Sequence, residues 1–483
     1  MQALIAKAPD DELVVKVSPG YGQPYDYIAS ALRIVLRMDY LDRFGVNGKK
    51  AIEALRIAPH KRAKMISDIS KVVQQKYVGR AFNSKEHTPW FSATPYSNQV
   101  RVGGGKTILY NDRILRQLQR YGLYKMAAEF KDGRPIRVGF INALGRTAHD
   151  NFWNRIASNL LSLGYGVESA GVVNISSASR AELEAAVSRL QDEAPHVVLA
   201  FFPTGFSDED SDETAYYHFK SLTVGRGLPS QVVEQRTLDN TYADGNIVLG
   251  ILGKTGNIPY VLAEPLDFAD VVVGLDIARD RKKRLPGSIN ATAIARIYLN
   301  NGEFLQYVIH DAPLEGETIP QSVLQGFFPS EEFAGKRVII HRDGYFRGNE
   351  RKALLNWAQQ IGATFYLVQV IKSGAPRIYG YENQRSVQPI KGSTFLLSDN
   401  EALLVSSLPP FKDATPMPLR ITADQPFTID QALQSVLAMT TMHYGSLRPP
   451  RLPVTIHYSD KIAYMALRGI KPQNLSGNVP YWL

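Results

Sequence analysis

The middle of the chain alternates short apolar runs with amphipathic stretches. IRVGFINAL begins at residue 136, the helix-like DNFWNRIASNLLSL follows, and HVVLAFFPTG comes near residue 196. Short β-branched and aromatic runs predict strands, whereas apolar positions three or four residues apart predict helices. Regular strand–helix alternation is typical of a parallel sheet with helices on both faces. The pattern therefore predicts a doubly wound α/β unit over residues 135–265.

The same alternation starts again at DVVVGLDIA, residues 270–278, and continues to the end of the chain. Its strand-like runs are ARIYLNN, LQYVIHD, RVIIHRDG, TFYLVQVIK, STFLLS and EALLVSS. Helix-like segments near 428–442 and 459–468 close the series. We expect a second α/β unit over residues 266–483.

The first 134 residues have a different pattern. Over residues 26–80, apolar and basic positions recur at helical spacing, and a loop-rich stretch follows. Further on, Arg113, Arg116 and Arg120 fall on one face of a predicted helix. This face suits a phosphate backbone or a solvated surface equally well. We expect a mainly helical region over residues 1–134.

Charge is distributed unevenly along the chain. Residues 1–134 hold 23 Lys and Arg against 12 Asp and Glu, a surplus of +11, whereas the whole chain carries +9. The remaining residues therefore sum to −2. A basic region of this kind favours a polyanionic partner, although it also serves as a solubilising surface.

Composition excludes several classes of protein. The chain has no cysteine, which excludes disulfides, Cys-ligated zinc and thiol catalysis. No apolar run approaches the ~18 residues of a membrane helix, and the start lacks the layout of a signal peptide. The stretches GGGKT (103–107) and GKT (253–255) lack the first glycine of a phosphate-binding P-loop. We expect a cytoplasmic protein that does not bind ATP through such a loop.

Three aspartates lie near the ends of predicted elements. Asp276 ends VVVGLD, Asp343 ends VIIHRD, and Asp460 follows a strand-like run in RLPVTIHYSDKIAYMA. Each alone suits a helix cap or a turn, but acids that end buried strands also suit Mg²⁺ or Mn²⁺, which prefer oxygen ligands. Carboxylates on a mixed sheet that bind two metal ions form the ribonuclease H-like scheme for cutting phosphodiesters.

The residues around Asp343 have candidate roles of their own. His341 either orients a water or phosphate or is simply structural. Gly344 would keep side chains away from the metal, and Arg342 or Arg347 could face the backbone being cut.

Five motifs together resemble the PIWI domain of prokaryotic Argonautes. They are GLD (274–276), HRDG (341–344), VIKSGAPRIY (370–379), LPVTIHYSDKIA (452–463) and the terminal NVPYWL. The preceding α/β unit resembles the MID domain of the same family. The resemblance implies a Rossmann-like MID domain over 135–265, a ribonuclease H-like PIWI domain over 266–483, and guide-directed nucleic-acid binding.

The resemblance also implies a pocket for the 5′ phosphate of the guide strand. Tyr216 and Lys220, one helical turn apart in TAYYHFK, match the family's Tyr–Lys pair. Gln231 and Lys254 match its glutamine and second lysine, and the carboxylate of Leu483 is expected to fold back to the same pocket. Lysine, amide and tyrosine donors suit a phosphate, and a tyrosine ring can stack under a base.

For cleavage, the resemblance implies four metal-binding groups. Asp276, Asp343 and Asp460 match the family's aspartates. The family's glutamate corresponds to Glu317, with Glu315 as the alternative, both in DAPLEGETIPQSVLQGFF. We expect Mg²⁺ or Mn²⁺ as the cofactor.

Only 134 residues precede the MID-like unit, so the resemblance implies a short form without a PAZ domain. The leading hypothesis is a metal-dependent endonuclease that cuts a target paired to a 5′-phosphorylated guide, in defence against invading DNA. A second is a non-cutting, guide-loaded sensor that signals to an effector protein. A third is an unguided ribonuclease H-like nuclease or transposase. The sequence leaves open whether guide and target are RNA or DNA.

Overall fold

The computed structural model describes most of the chain. The described residues are 14–17, 25–28, 47–77, 91–93, 98–145, 149–207, 214–279, 291–311, 319–409 and 413–483. The chain divides into two compact units, Met1–Ile57 and Ala58–Leu483. Both predicted α/β units lie within the second of these.

The described residues of the first compact unit include two paired strands and a helix. Strand β1 (Val14–Val17) pairs antiparallel with β2 (Tyr25–Ile28), and α1 spans Gly48–Leu55. The expectation of a mainly helical region was wrong at residues 25–28, because the alternating YDYI suits the two-residue period of a strand. The parts of the predicted helical region at 29–46 and 78–80 lie outside the described residues.

The second compact unit opens with α2 and a small antiparallel pair. Its first elements are α2 (Pro59–Tyr77), β3 (Phe91–Ala93), β4 (Gln99–Arg101), β5 (Thr107–Leu109) and α3 (Ile114–Tyr121). Ile114 and Leu118 are buried on α3, whereas Arg113, Arg116 and Arg120 are exposed. The predicted basic face is therefore an exposed surface.

The first α/β unit is built on a parallel sheet. Its elements are β6 (Ile136–Asn142), α4 (Asp150–Ser162), β7 (Val167–Asn174), α5 (Arg180–Asp192), β8 (Val197–Phe202), α6 (Ala215–Gly225), β9 (Ser230–Glu234) and α7 (Thr241–Lys254). The strands lie in the order β7-β6-β8-β9, and every pairing is parallel. Every residue of the central β8 is buried. The strand–helix alternation thus predicted this sheet correctly.

The second α/β unit is larger and its sheet is mixed. Before this unit, β10 (Val261–Leu262) pairs antiparallel with β4. The elements of the unit up to the sheet centre are β11 (Val271–Arg279), β12 (Ala291–Leu299), β13 (Phe304–Asp311), α8 (Gln321–Phe327), α9 (Ser330–Phe333), β14 (Arg337–Asp343), α10 (Glu350–Gln360) and β15 (Thr364–Ile371). It continues through β16 (Gly380–Glu382), β17 (Arg385–Val387), β18 (Ser393–Ser398), β19 (Glu401–Leu404), β20 (Leu419–Ala423), α11 (Ile429–Met439), α12 (Val454–Ala466) and β21 (Ser476–Gly477).

The main sheet of this unit runs in the order β21-β13-β12-β11-β14-β15-β20-β19-β18-β3. Strands β11, β14 and β15 form a parallel centre, and their neighbours on both sides are antiparallel. Apolar side chains form separate buried clusters, one of which includes Val272 and Ile339 and another Val273 and Ile340. Neighbouring residues of one strand face opposite sides of a sheet, so both faces of this sheet are covered.

Helix α12 lies against β11 at very short range. A Cβ atom on Gly274 would lie 2.0 Å from the carbonyl oxygen of Thr455, closer than two atoms can pack. Only glycine fits at this crossing of strand and helix. The contact sets the distance between two elements that carry candidate site residues.

The expectation of a strand before Asp460 was wrong, because α12 begins at Val454 and includes this aspartate. The run Val454-Thr455-Ile456 is β-branched and apolar, which favours a strand locally. All three residues are buried, so tertiary packing of the helix overrides that preference. In the described part of the chain, no helix is long and apolar enough to cross a membrane.

Candidate metal centre and anion-binding pocket

The three aspartates predicted from the sequence meet at one place. Strands β11 and β14 are parallel neighbours, which brings Asp276 and Asp343 to the same part of the sheet. Asp276 lies within β11 rather than at its end, since that strand continues to Arg279. Asp460 approaches from α12, and one carboxylate oxygen from each aspartate lies within 4.8 Å of the others.

Burial and mutual repulsion shape the charges of this cluster. Asp276 is 4% exposed, and its burial, followed by the charge of Asp343, raises its pKa. Burial also raises the pKa of Asp343, although the nearby Lys372 opposes this. Asp460 is half exposed. Three carboxylates at this spacing provide the oxygen ligands that Mg²⁺ and Mn²⁺ prefer.

A lysine that the sequence analysis did not single out lies between two of these acids. The Nζ atom of Lys372, directly after β15, is 2.7 Å from Asp343 Oδ2 and 3.1 Å from Asp460 Oδ2. Burial lowers the pKa of Lys372, but the two carboxylates raise it by more. Lys372 lies within the motif VIKSGAPRIY, so the signal was present without an assigned role.

A buried ion pair supports the cluster from the side of Asp276. Arg342 Nε donates to Glu350 Oε2 at 3.3 Å, and Arg342 Nη1 lies 3.9 Å from Asp276 Oδ1. Glu350 is fully buried and also accepts hydrogen bonds from the backbone N–H groups of Ile319 and Arg347. The expectation that Arg342 could face a nucleic-acid backbone was wrong, because its guanidinium is committed to this buried network.

His341 is a structural residue. Its ring is fully buried, with Nδ1 2.9 Å from Thr455 Oγ1 and Nε2 3.0 Å from Ser435 Oγ. Burial lowers its pKa to about 3, so the ring is neutral and joins β14 to the helices α11 and α12. Arg347, by contrast, is exposed.

The expected fourth acid is not tested by the structure. Glu317 and its alternative Glu315 lie outside the described residues, which resume at Ile319. Ile319 itself is buried and held by Glu350 through its backbone N–H. Ile319 is therefore bound to the same network that contacts Asp276.

The five residues predicted for a phosphate pocket also come together. A cavity of about 260 Å³ is lined by Tyr216, Lys220, Gln231 and Leu483, among others. The Nζ atom of Lys254 donates to Gln231 Oε1 at 2.7 Å and to the main-chain oxygen of Leu483 at 2.6 Å. The Nζ atom of Lys220 donates to the backbone oxygen of Ser230 at 2.9 Å and to its hydroxyl at 3.0 Å.

The pocket concentrates positive charge in a buried place. Burial, followed by the charge of Lys461, lowers the pKa of Lys220 to about 7. Burial also lowers the pKa of Lys254, and the charges of Lys220 and Lys461 add to the effect. Clustered ammonium groups of this kind are stabilised by a bound anion.

Lys461 is a pocket residue that the sequence analysis missed. It lines the same cavity, and its Nζ donates to the backbone oxygen of Trp482 at 3.1 Å. It follows Asp460 directly in α12, so one helix carries a residue of each site. Because this lysine lies far along the chain from Lys220, no local pattern could reveal that the two meet.

Comparisons with known proteins agree with this arrangement. The Piwi domain family matches residues 206–471. The Argonaute of Aquifex aeolicus is 31% identical over 276 residues, which are 56% of this chain and 38% of that protein. The Argonaute of Thermus thermophilus is 24% identical over 375 residues, 73% of this chain and 52% of that one. The chain thus spans about half or less of the length of these relatives.

Solved structures show the same fold. The crystal structure of A. aeolicus Argonaute superposes with a TM-score of 0.73 at 25% identity, and the match covers 95% of this chain and 64% of the A. aeolicus chain. Clostridium butyricum Argonaute bound to a guide DNA and a 19-mer target DNA has a TM-score of 0.77 at 21% identity, covering 100% of this chain and 68% of its own. Since the Piwi domain match extends over more than half of its residues, the chain belongs to the Piwi-domain family and, within it, to the prokaryotic Argonautes.

Proposed function

We propose that this protein binds a 5′-phosphorylated guide strand and cuts a target strand paired to it. The proposal is supported mainly by one observation: a single helix contributes a residue to each of two sites, one suited to phosphate and one to metal ions. A lysine-rich pocket suits a terminal phosphate, a cluster of three aspartates suits divalent cations, and α12 supplies Lys461 to the first and Asp460 to the second.

In the proposed pocket, the chain neutralises a dianionic phosphate with ammonium groups. Lys220, Lys254 and Lys461 supply the charge, and Gln231 adds a neutral amide. Tyr216 lies beside Lys220, whose ammonium is 6.0 Å from the centre of its ring, so the ring can stack under the first base. Because the lysines are buried, the phosphate meets them in a medium that screens charge weakly.

In the proposed cutting site, Asp276, Asp343 and Asp460 would hold Mg²⁺ or Mn²⁺. The bound metal would activate water and stabilise the leaving oxygen of the phosphodiester. Arg342 and Glu350 keep Asp276 in place, and Glu317 is the proposed fourth acid. Rigid strand and helix backbones position all three aspartates before substrate arrives.

The test uses purified protein, a 5′-phosphorylated guide, a labelled complementary target and Mn²⁺. DNA strands are the first choice, because the C. butyricum relative was solved with a DNA guide and target. We expect one cut at a fixed distance from the guide's 5′ end. Asp343→Ala should abolish the cut and leave guide binding unchanged, since Asp343 lies in the metal cluster and not in the pocket.

Two other outcomes would redirect the proposal. Tight guide and target binding without a cut, in every combination of RNA and DNA, would favour the guide-loaded sensor that signals to an effector protein. Cutting that ignores the guide would favour an unguided nuclease.

Lys220→Ala with Lys254→Ala should weaken binding of the guide by about 1.5–3 kcal/mol per lost contact. Equal affinity for 5′-phosphate and 5′-hydroxyl guides in the wild type would refute the pocket assignment.

A further inference from the structure

Lys372 occupies the space between the two more accessible acids of the aspartate cluster. Its ammonium is within hydrogen-bond distance of Asp343 Oδ2 and Asp460 Oδ2 at the same time. A divalent cation held by this cluster would need the same carboxylates. Two cations cannot share the same oxygens at these distances without strong repulsion.

In the described part of the chain, Arg342 is the other cation close to this cluster, and it is committed to different partners. Arg342 is 3.9 Å from Asp276 but donates to Glu350 and to the backbone oxygen of Asp343. It is buried, so its guanidinium has no room to move. Among the described residues, Lys372 is therefore the cation that contacts both Asp343 and Asp460.

The backbone of Lys372 is fixed by a hydrogen bond, whereas its ammonium group can change position. The guanidinium of Arg451 donates to its backbone oxygen at 2.9 Å, which holds the main chain. The side chain is 32% exposed, so the ammonium can reach water when it leaves the carboxylates. A lysine side chain has four rotatable carbon–carbon bonds, so its ammonium group can move while the backbone stays fixed.

We propose that Lys372 is an internal counter-ion that holds Asp343 and Asp460 together in the metal-free protein and competes with divalent cations for them. The inference rests on the proposed role of the aspartates as metal ligands. Metal binding then includes displacement of the lysine, and the strength of its two ion pairs lowers the metal affinity. The same contacts stabilise the protein before metal arrives, because they offset repulsion among the three acids.

The test compares Mn²⁺ binding, measured by calorimetry after removal of metals with chelator, in wild type and Lys372→Met. Methionine keeps much of the apolar stem and removes the charge. We expect Mn²⁺ to bind about tenfold to a hundredfold more tightly to the variant, the range that corresponds to one charge-assisted hydrogen bond. Without metal, the variant should melt at a lower temperature than the wild type, and saturating Mn²⁺ should narrow the difference.

Controls separate competition from general effects. Lys352→Met changes an exposed lysine on α10 and should leave Mn²⁺ affinity unchanged. Lys372→Arg keeps the positive charge and should keep affinity near that of wild type, and Lys372→Gln replaces Lys372→Met if the latter does not fold. Equal or weaker Mn²⁺ binding by the charge-free variant would overturn the inference. If neither protein shows Mn²⁺ binding that Asp343→Ala abolishes, the proposed metal site itself is refuted.

Discussion

Raising the pH should weaken the part of guide binding that depends on the 5′ phosphate. Burial lowers the pKa of Lys220 to about 7 in the free protein, and a bound phosphate stabilises the charged form. Above pH 7, Lys220 must therefore take up a proton when the phosphate binds, so the affinity for the 5′ phosphate falls as the pH rises. The other charged groups of the pocket are Lys254, Lys461, Arg236, Glu234 and the terminal carboxylate of Leu483. The lowered pKa of Lys254 acts in the same direction, and the pKa of Glu234 is also lowered, so this carboxylate stays charged above pH 7.

The size of the effect follows from the charged fraction of Lys220. With a pKa of about 7, half of these lysines are charged at pH 7 and about one in a hundred at pH 9. If the complex requires the ammonium, phosphate-dependent affinity falls about fiftyfold over this range. Exposed lysines and arginines along a nucleic-acid groove keep their charge at pH 9, so they add little to the change.

Fluorescence anisotropy of labelled guides at pH 7, 8 and 9 and constant salt measures this directly. The quantity of interest is the ratio of the dissociation constants of 5′-hydroxyl and 5′-phosphate guides, because it cancels contacts along the strand. Lys220→Arg is the matched control, since arginine stays charged and should flatten the dependence. A wild-type ratio that is the same at pH 7 and pH 9 would refute the reasoning.

Three further predictions concern residues around the two sites. Glu350→Gln should lower the free energy of unfolding by about 3–5 kcal/mol in urea denaturation, because it leaves buried Arg342 without its carboxylate. The double variant Glu350→Gln with Arg342→Met should lose less stability than the sum of the single changes, and a loss under about 1 kcal/mol for Glu350→Gln alone would contradict the ion pair. Gly274→Ala should lower the free energy of unfolding by about 1–3 kcal/mol or more in thermal unfolding, because the added Cβ would overlap Thr455. Gly326→Ala is the control, since Gly326 lies on a helix with open space around it, and this variant should be as stable as the wild type or more so. Equal stability of the two variants would contradict the close contact at Gly274. Lys461→Met should weaken binding of the 5′-phosphate guide about tenfold or more without changing 5′-hydroxyl binding, and parallel losses for both guides would place Lys461 outside the pocket.

The parts of the fold and of the candidate sites that depend on local sequence pattern, or on the order of motifs along the chain, could be predicted from the sequence. Strand–helix alternation predicted the parallel sheet of the first α/β unit, and the motifs predicted that Asp276 and Asp343 would meet Asp460. The element that carries Asp460 was predicted wrongly, because the first turn of its helix, Val454-Thr455-Ile456, is a buried β-branched run that resembles a strand in the sequence.

Residues whose role depends on distant partners were the ones missed. Lys372 matters because α12 brings Asp460 beside it, 88 positions later in the chain. Glu350 matters because Arg342 and Ile319 converge on it inside the core. Charge on a surface helix and charge in a buried network look alike in a sequence, and only the packing distinguishes them.

The close approach of Gly274 to Thr455 limits how this site can adapt. Asp276 lies two residues after Gly274, and Asp460 five residues after Thr455, so two of the three acids extend from backbones already in contact. Asp343 lies on the strand paired to β11 through main-chain hydrogen bonds. In the proposed metal site, a larger ion such as Ca²⁺, which needs longer ligand distances than Mg²⁺, would therefore meet carboxylates whose backbones are held close together.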